Sequence, residues 1–226
     1  MGRLSNIGLI FYRPSAVAAS VNEKPAWLVP VIVVLILGFV AVYASYQYNV
    51  EYQKQVFEKM QRDRGTSLDP ESLFKVTPAK RLYGGAIGGL SLVLGVLVGA
   101  AILHGLALVL GGKSSFRKVF CFYAYAWIIP AAGGLAKLPL VLAKKSIDVR
   151  SSLAALTPGV AFDTPLGVML NSADLFYVWM LVVTAVGYSI LTGLGTKKST
   201  AIVIGLYILF VAFSVSMTVV RSKVTG

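Results

Sequence analysis

Five long apolar runs without Asp, Glu, Lys or Arg alternate with short polar segments along this chain of 226 residues. They cover residues 25–50, 82–112, 119–136, 175–196 and 199–220. About 20 apolar residues in an α-helix cross roughly 30 Å of hydrocarbon. The pattern therefore predicts an all-α polytopic membrane protein, a single domain over residues 1–226 with a five-helix transmembrane bundle. We expect the spans at about 26–49, 84–110, 119–142, 173–195 and 199–220.

The overall composition agrees with the pattern. Hydrophobic residues make up 57% of the chain and charged residues 13%, with a mean hydropathy of +0.77. A soluble core of this size would not bury that apolar surplus. The net charge of +12 is then best explained by basic loops that meet anionic lipid headgroups, because the loops show no basic and aromatic array that would stack on nucleic acid bases.

Two segments depart from a simple spanning helix. Residues 4–24 combine apolar side chains with Arg13 and Lys24. This predicts an N-terminal amphipathic helix at the membrane interface rather than a cleaved signal peptide, because Arg13 and Pro14 interrupt the apolar run. The third span contains Pro130, Gly133, Gly134 and Pro139, so we expect that helix to be kinked or broken.

The first loop, residues 51–81, separates the first two apolar runs. Its first part continues the helical pattern of span one, and Asp69 followed by Pro70 is typical of a new helix start. We expect this loop to lie outside the membrane as helical structure. About 30 residues are too few for a core of their own.

Basic residues cluster in the two short loops. With five spans, the loop between spans two and three and the loop between spans four and five lie on the same side as the N-terminus. Their density of positive charge favours a cytoplasmic N-terminus. We interpret these residues as candidates for binding partner proteins or lipid headgroups: Lys113, Arg117, Lys118, Lys197 and Lys198.

The stretch Gly112-Lys113-Ser114 superficially resembles a phosphate-binding loop. The Walker pattern needs a glycine at position 107, which is Ala107 here, and it must follow a β-strand rather than a membrane span. We therefore expect a short basic turn in which glycine ends the helix.

Span two carries a stripe of small residues, four glycines and Ser91, that recur at spacings of three and four positions. Such a stripe lets another helix approach closely. We expect it to pack against another span of this chain, with a second copy of the protein as the alternative. The glycines concerned are Gly84, Gly88, Gly95 and Gly99.

Three polar residues within or beside the spans are functional candidates, since such residues are costly in hydrocarbon. We expect His104 to hydrogen-bond to Tyr123 or Tyr125, with a proton relay as the alternative. Lys137 and Asp174 lie near the same membrane face and are able to pair. The simpler interpretation is that Lys137 extends to the headgroups while Asp174 caps the fourth span.

The sequence contains few of the residue patterns that are typical of catalytic sites. It contains no paired carboxylates within a span, no HExxH motif and a single cysteine, Cys121, which excludes an internal disulfide and a CxxC motif. We expect no catalytic residue, no metal site and no cofactor.

Three regions resemble the signature regions of the Yip domain family, the Ypt/Rab-interacting membrane proteins, in its bacterial form. They read IFYRPSAVAASVNEKPAWLVPVIV, LHGLALVLGGKSSFRKVFCFYAYAWIIPAA and LNSADLFYVWMLVVTAVGYSILTGLGTKKSTAIVI. The resemblance implies five spans, a cytoplasmic N-terminus and location in the bacterial cytoplasmic membrane. Eukaryotic members are noncatalytic and bind prenylated GTPases and one another in vesicle traffic, but this chain has almost none of their long N-terminal region.

Two functions remain open at this point. The first is a noncatalytic scaffold or adaptor that assembles with other membrane proteins, with itself or with lipids. The second is a small transporter, channel or lipid carrier that uses the broken third span, because broken helices at membrane depth build ion sites in transporters.

Overall fold

The computed structural model describes residues 2, 4–64, 69–157, 159–161 and 163–225, and the regular elements in this part of the chain are all helices. The helices, in chain order, are α1 (Ser5–Leu9), α2 (Pro14–Glu23), α3 (Leu28–Arg64), α4 (Pro70–Phe74), α5 (Pro78–Val109), α6 (Phe116–Lys144), a 3-10 helix (Leu153–Leu156), α7 (Pro165–Ser172), α8 (Leu175–Thr192) and α9 (Thr196–Thr225).

Five of these helices, α3, α5, α6, α8 and α9, are long and apolar enough to cross a membrane. The all-α, five-span fold class is therefore confirmed. The 18 residues of α8 span about 27 Å at 1.5 Å per residue, close to the hydrocarbon thickness. The 37 residues of α3 span about 55 Å, so α3 continues well beyond its apolar part.

The first loop is built from the end of α3, from α4 and from the start of α5. Asp69 caps α4 by accepting a hydrogen bond from the Glu71 backbone N–H, and Pro70 is the first residue of the helix. Phe57 of α3 and Phe74 of α4 hold the two helices together with ring centroids 5.4 Å apart. Residues 65–68 of this loop lie outside the described residues.

Helix α6 lies at the centre of the bundle. It contacts α3, α5 and α8, while α5 packs mainly against α3 and α9 packs against α8 and α7. The main hydrophobic cluster accordingly takes many of its buried side chains from α6, among them Phe122, Tyr125, Ile128 and Ile129.

The expected break in the third span is absent. Helix α6 is continuous from Phe116 to Lys144 and includes both Pro130 and Pro139. A proline inside a helix removes one backbone hydrogen bond to the residue four positions earlier. Helix α6 packs against α3, α5 and α8, and this packing supports the helix around Pro130, whereas Pro139 is exposed near the end of the helix.

The N-terminal segment forms two short helices instead of one. Ile10 and Val17, whose side chains would face lipid in an interfacial helix, are fully buried against the bundle, and α2 packs along α8 and α6. The Trp179 indole N–H donates to the Phe11 carbonyl (3.1 Å), near the start of α8. At the other end of the segment, the Lys118 ammonium donates to the Asn22 side-chain oxygen (2.7 Å). The pair of helices therefore lies along the side of the bundle as part of its core.

Candidate functional site

The largest group of connected polar side chains in the described residues surrounds Asp174, the residue that precedes α8. Its carboxylate accepts from the Phe176 backbone N–H (2.9 Å) through Oδ1. Its Oδ2 pairs with the Lys137 ammonium at 3.2 Å and accepts from the Ser151 hydroxyl. We call Asp174, Lys137 and Ser151 the Asp174 cluster. It brings together the two residues that the sequence placed at one face, and Asp174 also caps α8 as expected.

The cluster fastens residues 146–157 to the start of α8. The Leu175 backbone N–H donates to the Ser151 carbonyl (3.1 Å), and the Leu153 N–H donates to the Ala173 carbonyl (3.3 Å). The Ser152 hydroxyl donates to the Asn171 side-chain oxygen at 3.0 Å. Residues 146–157 are thus hydrogen-bonded to the end of α7 and to the start of α8.

Arg150 gives the same segment its internal shape. Its guanidinium forms a bidentate pair with Asp148, with distances of 2.6 and 3.1 Å. Its Nη1 also donates to the carbonyls of Ala154 (3.1 Å) and Thr157 (3.2 Å). A planar guanidinium suits this combination of a carboxylate and two carbonyls. Arg150 therefore links Asp148 to the 3-10 helix and to the residue that follows this helix.

A glycine makes room for the α6 side of the cluster. A methyl group at Gly133 would overlap the ring of Phe176, and the Lys137 ammonium lies 5.9 Å from the centre of that ring. The aromatic ring therefore lies between α6 and α8 beside the ion pair. Both carboxylate oxygens of Asp174 have partners, so the cluster links α6, residues 146–157 and α8. The described residues contain no group of three His, Cys, Asp or Glu that would hold a metal ion.

The five basic residues predicted as binding candidates lie at the opposite end of the bundle. We call Lys113, Arg117, Lys118, Lys197 and Lys198 the basic face. All are exposed except Lys118, which is half-buried.

The two turns that carry the basic face touch each other. The Lys113 backbone N–H donates to the Thr192 carbonyl at 2.8 Å, and a methyl group at Gly112 would contact Leu194 at 3.1 Å. The Lys118 ammonium, at the start of α6, donates to the Asn22 side-chain oxygen, so the end of α2 lies beside these two turns. The structure thus places both basic turns and the end of α2 at one end of the molecule.

The turn between α5 and α6 ends α5 in a Schellman motif. Gly111 has a positive φ of 83°. The N–H of Gly111 donates to Leu108, and the N–H of Gly112 donates to Ala107 at 2.7 Å, which is the hydrogen-bond pattern of this motif. The glycine pair has the helix-ending role expected from the sequence.

The glycine stripe of α5 divides between two neighbours. Gly84 and Gly88 face Tyr46 and Val42 of α3, and Gly99 faces the ring of Tyr123 in α6. The expectation for Gly95 is wrong, because a methyl group there would meet no atom within 4 Å. Gly95 therefore lies away from the other helices of this chain, although its spacing of seven positions from Gly88 puts both on nearly the same face of a helix.

His104 does not make the expected hydrogen bond through Nδ1. This atom is buried and has no partner among the described residues. The imidazole instead meets Phe116 edge to face, with ring centroids 5.9 Å apart. Nearby, Tyr188 of α8 donates its hydroxyl to the Leu103 carbonyl of α5 (2.7 Å), and this buried contact joins the two helices.

Comparison with known proteins agrees with the helical architecture. Residues 7–217 match the family described as the Yip1 domain. The chain belongs to the Yip1 domain family. It is also similar to the membrane protein YknW of Bacillus subtilis (strain 168), with 24% identity over 206 residues, which cover 89% of this chain and 86% of that protein. No solved structure matches it. This Yip1 domain is therefore an integral membrane protein of bacterial type.

Several residues of this Yip1 domain gain their roles only from tertiary packing. Gly89 meets the backbone of α3, since a methyl group there would lie 2.7 Å from the Leu35 carbonyl oxygen, whereas the nearest α3 atoms to Gly84 and Gly88 belong to side chains. Gly187 of α8 admits the ring of Phe122, and the Tyr207 hydroxyl donates to the Ser172 carbonyl. The GGxxGG pattern of α5 signals Gly89, but no local pattern identifies Ser151 or Tyr207.

Proposed function

We propose that this Yip1-family protein is a noncatalytic scaffold that assembles with other membrane proteins through the basic face. In this proposal the protein resides in a bacterial cytoplasmic membrane, with its N-terminus and the basic face in the cytoplasm. The partner presents acidic residues next to its own membrane spans, because four exposed cations at one end of a bundle attract such a surface.

The observation that carries the proposal is the junction of the two basic turns. The hydrogen bond from the Lys113 backbone to the Thr192 carbonyl (2.8 Å) joins the turn before α6 to the end of α8, so that Lys113 and Arg117 lie at the same end of the bundle as Lys197 and Lys198. A rigid arrangement of charges loses less conformational entropy on binding than charges on separate loops. The basic face therefore has the properties of a preorganised docking surface.

The use of the polar side chains also supports a noncatalytic role. Asp174, Lys137 and Ser151 bind one another, and Arg150 binds carbonyls of its own segment. The transport alternative depended on a break in the third span. Since α6 is continuous, and Lys137 is neutralised by Asp174, we favour the scaffold.

Site-specific photo-crosslinking in native membranes tests the proposal. A photoreactive amino acid replaces Lys198 in one variant and Lys145 in the matched control, since both side chains are exposed but lie at opposite ends of the bundle. We expect a discrete protein adduct from position 198 and none from position 145. Equal adducts from both positions, or none from position 198, would contradict a docking role for the basic face.

A further inference from the structure

A cleft of about 380 Å³ lies where α2 meets α3, beside the first turn of α6. Residues from all three elements line it, including Glu23, Lys24, Trp27, Leu28 and Arg117. It adjoins the basic face through Arg117 but extends toward the apolar part of α3. The cleft therefore combines a charged rim with an apolar base.

The corner between α2 and α3 gives the cleft its shape. Lys24 leaves α2 in an extended conformation (φ −139°, ψ 91°), which the following Pro25 favours. The Ala26 N–H then donates back to the Lys24 carbonyl at 2.9 Å. Trp27 packs against Phe120 of α6 with ring centroids 6.0 Å apart. An indole at this depth is typical of the membrane–water interface, where headgroups lie.

The rim carries two cations and one anion that have no ion-pair partner among the described residues. Lys24, Arg117 and Glu23 are all exposed, and none of them takes part in the ion pairs that the structure shows. A guanidinium and an ammonium together suit a phosphodiester. The carboxylate of Glu23 beside them suits a positively charged amine. The arrangement complements a headgroup that contains both charges.

An exposed apolar stripe continues from the base of the cleft along α3. Leu28, Ile32 and Ile36 are 55%, 49% and 53% exposed and recur every four residues, so they lie on one side of the helix. This side belongs to a membrane span, and it offers a track for acyl chains directly below the charged rim. A soluble phosphate compound would make no use of it.

We propose that this cleft binds a zwitterionic aminophospholipid. The phosphodiester lies between Lys24 and Arg117, the ammonium group meets Glu23, and the acyl chains follow the stripe from Leu28 to Ile36. This inference goes beyond the scaffold function, because it concerns a lipid ligand; the cleft shares Arg117 with the basic face but otherwise uses different side chains.

Native mass spectrometry of the full-length protein released from nanodiscs tests the lipid site. The nanodiscs contain equal amounts of phosphatidylethanolamine, phosphatidylglycerol and phosphatidylcholine. The wild type is expected to retain phosphatidylethanolamine preferentially. The double variant Lys24→Gln/Arg117→Gln should retain less of every lipid, by about fivefold for each cation removed. The matched control Lys197→Gln/Lys198→Gln removes the same charge from the same end of the bundle and should retain lipid like the wild type.

Glu23→Gln tests the headgroup assignment separately. This variant should lower the ratio of phosphatidylethanolamine to phosphatidylglycerol by about fivefold without reducing the total lipid retained. An unchanged ratio would overturn the assignment of an amine, and equal losses in the double variant and its control would overturn the cleft as the site. Displacement of the lipid by millimolar glycerophosphoethanolamine would show a site for soluble headgroups and overturn the membrane source. Thermal unfolding of each variant verifies that it is folded.

Discussion

Asp174 joins three parts of the chain at a single residue. It caps α8, pairs with Lys137 of α6 and accepts from Ser151 of the segment that follows α6. Its side chain is 8% exposed, whereas that of Lys137 is 28% exposed. The carboxylate therefore depends on these partners more than the ammonium does, since an exposed ammonium is solvated without Asp174.

We predict that Asp174→Ala destabilises the protein by about 2–4 kcal/mol, because the cap, the ion pair and the Ser151 hydrogen bond are all lost. Asp174→Asn should be less harmful, since asparagine also caps helices. Thermal unfolding of the purified protein in detergent should rank the midpoints as wild type, then Asp174→Asn, then Asp174→Ala. A wild-type midpoint for Asp174→Ala would show that the cluster contributes nothing to stability.

Two glycines of one helix provide a second test at the residue scale. A methyl group at Gly89 would lie 2.7 Å from the Leu35 carbonyl oxygen, whereas one at Gly95 would meet nothing within 4 Å. Gly89→Ala should cost about 1–3 kcal/mol through overpacking. The matched variant Gly95→Ala should be neutral or stabilising by up to about 1 kcal/mol, the helix propensity difference. Thermal midpoints that fall equally in both variants would contradict the observed α3 and α5 contact.

At the scale of elements, the close pair of α3 and α5 and the central position of α6 organise the bundle. Glycines along α5 bring its backbone against α3, and α6 contacts both helices as well as α8. The segment after α6 is attached to this frame by the Asp174 cluster, and Arg150 holds the internal shape of the segment. The stability of that segment is therefore measurable separately from that of the bundle.

Arg150→Ala should loosen residues 146–157 without unfolding the bundle. The variant loses the pair with Asp148 and the hydrogen bonds to Ala154 and Thr157, so trypsin should cleave after Lys144 and Lys145 several times faster. Arg117→Ala, an exposed arginine at the other end of the bundle, is the matched control and should leave the cleavage rate unchanged. An Arg150→Ala rate equal to that of the wild type would show that other contacts hold the segment.

The spanning helices were predictable because uncharged apolar runs are a direct consequence of crossing hydrocarbon. Which glycines contact another helix was less predictable, since Gly95 shares the local pattern of Gly88 but a methyl group there would meet no atom within 4 Å. The continuity of α6 through Pro130 depends on neighbours that are distant in sequence. For the same reason, the sequence allowed Lys137 and Asp174 to pair but did not identify Ser151, which reaches Asp174 only when residues 146–157 fold back.

At the scale of the whole molecule, the structure has two distinct ends. One carries the basic face, the end of α2 and the proposed lipid cleft, and the other carries the Asp174 cluster and the segment after α6. Because the long helices between them are able to cross the membrane, these ends lie on opposite sides of it. The proposed function requires the basic end to be cytoplasmic.

Cysteine labelling tests that arrangement. In a Cys121→Ala background, single cysteines replace Lys113, Lys198, Lys75 or Lys145. A membrane-impermeant maleimide added to intact cells should label the variants at positions 75 and 145 only, and those at 113 and 198 should react after permeabilisation. Labelling of position 198 in intact cells would reverse the proposed orientation, and opposite sides for 113 and 198 would contradict the adjacency of the two turns.

The central claim is that the basic face holds a membrane-protein partner, and co-purification from native membranes tests it most directly. The wild type is compared with Lys113→Gln/Arg117→Gln/Lys197→Gln/Lys198→Gln and with a control, Lys75→Gln/Lys80→Gln/Lys144→Gln/Lys145→Gln, that removes four exposed cations from the other end. We expect one protein in near equimolar amounts with the wild type and the control, and its loss from the basic-face variant. Retention of that protein by the basic-face variant, or recovery of the wild type without any protein partner, would show that the basic face is not the docking surface.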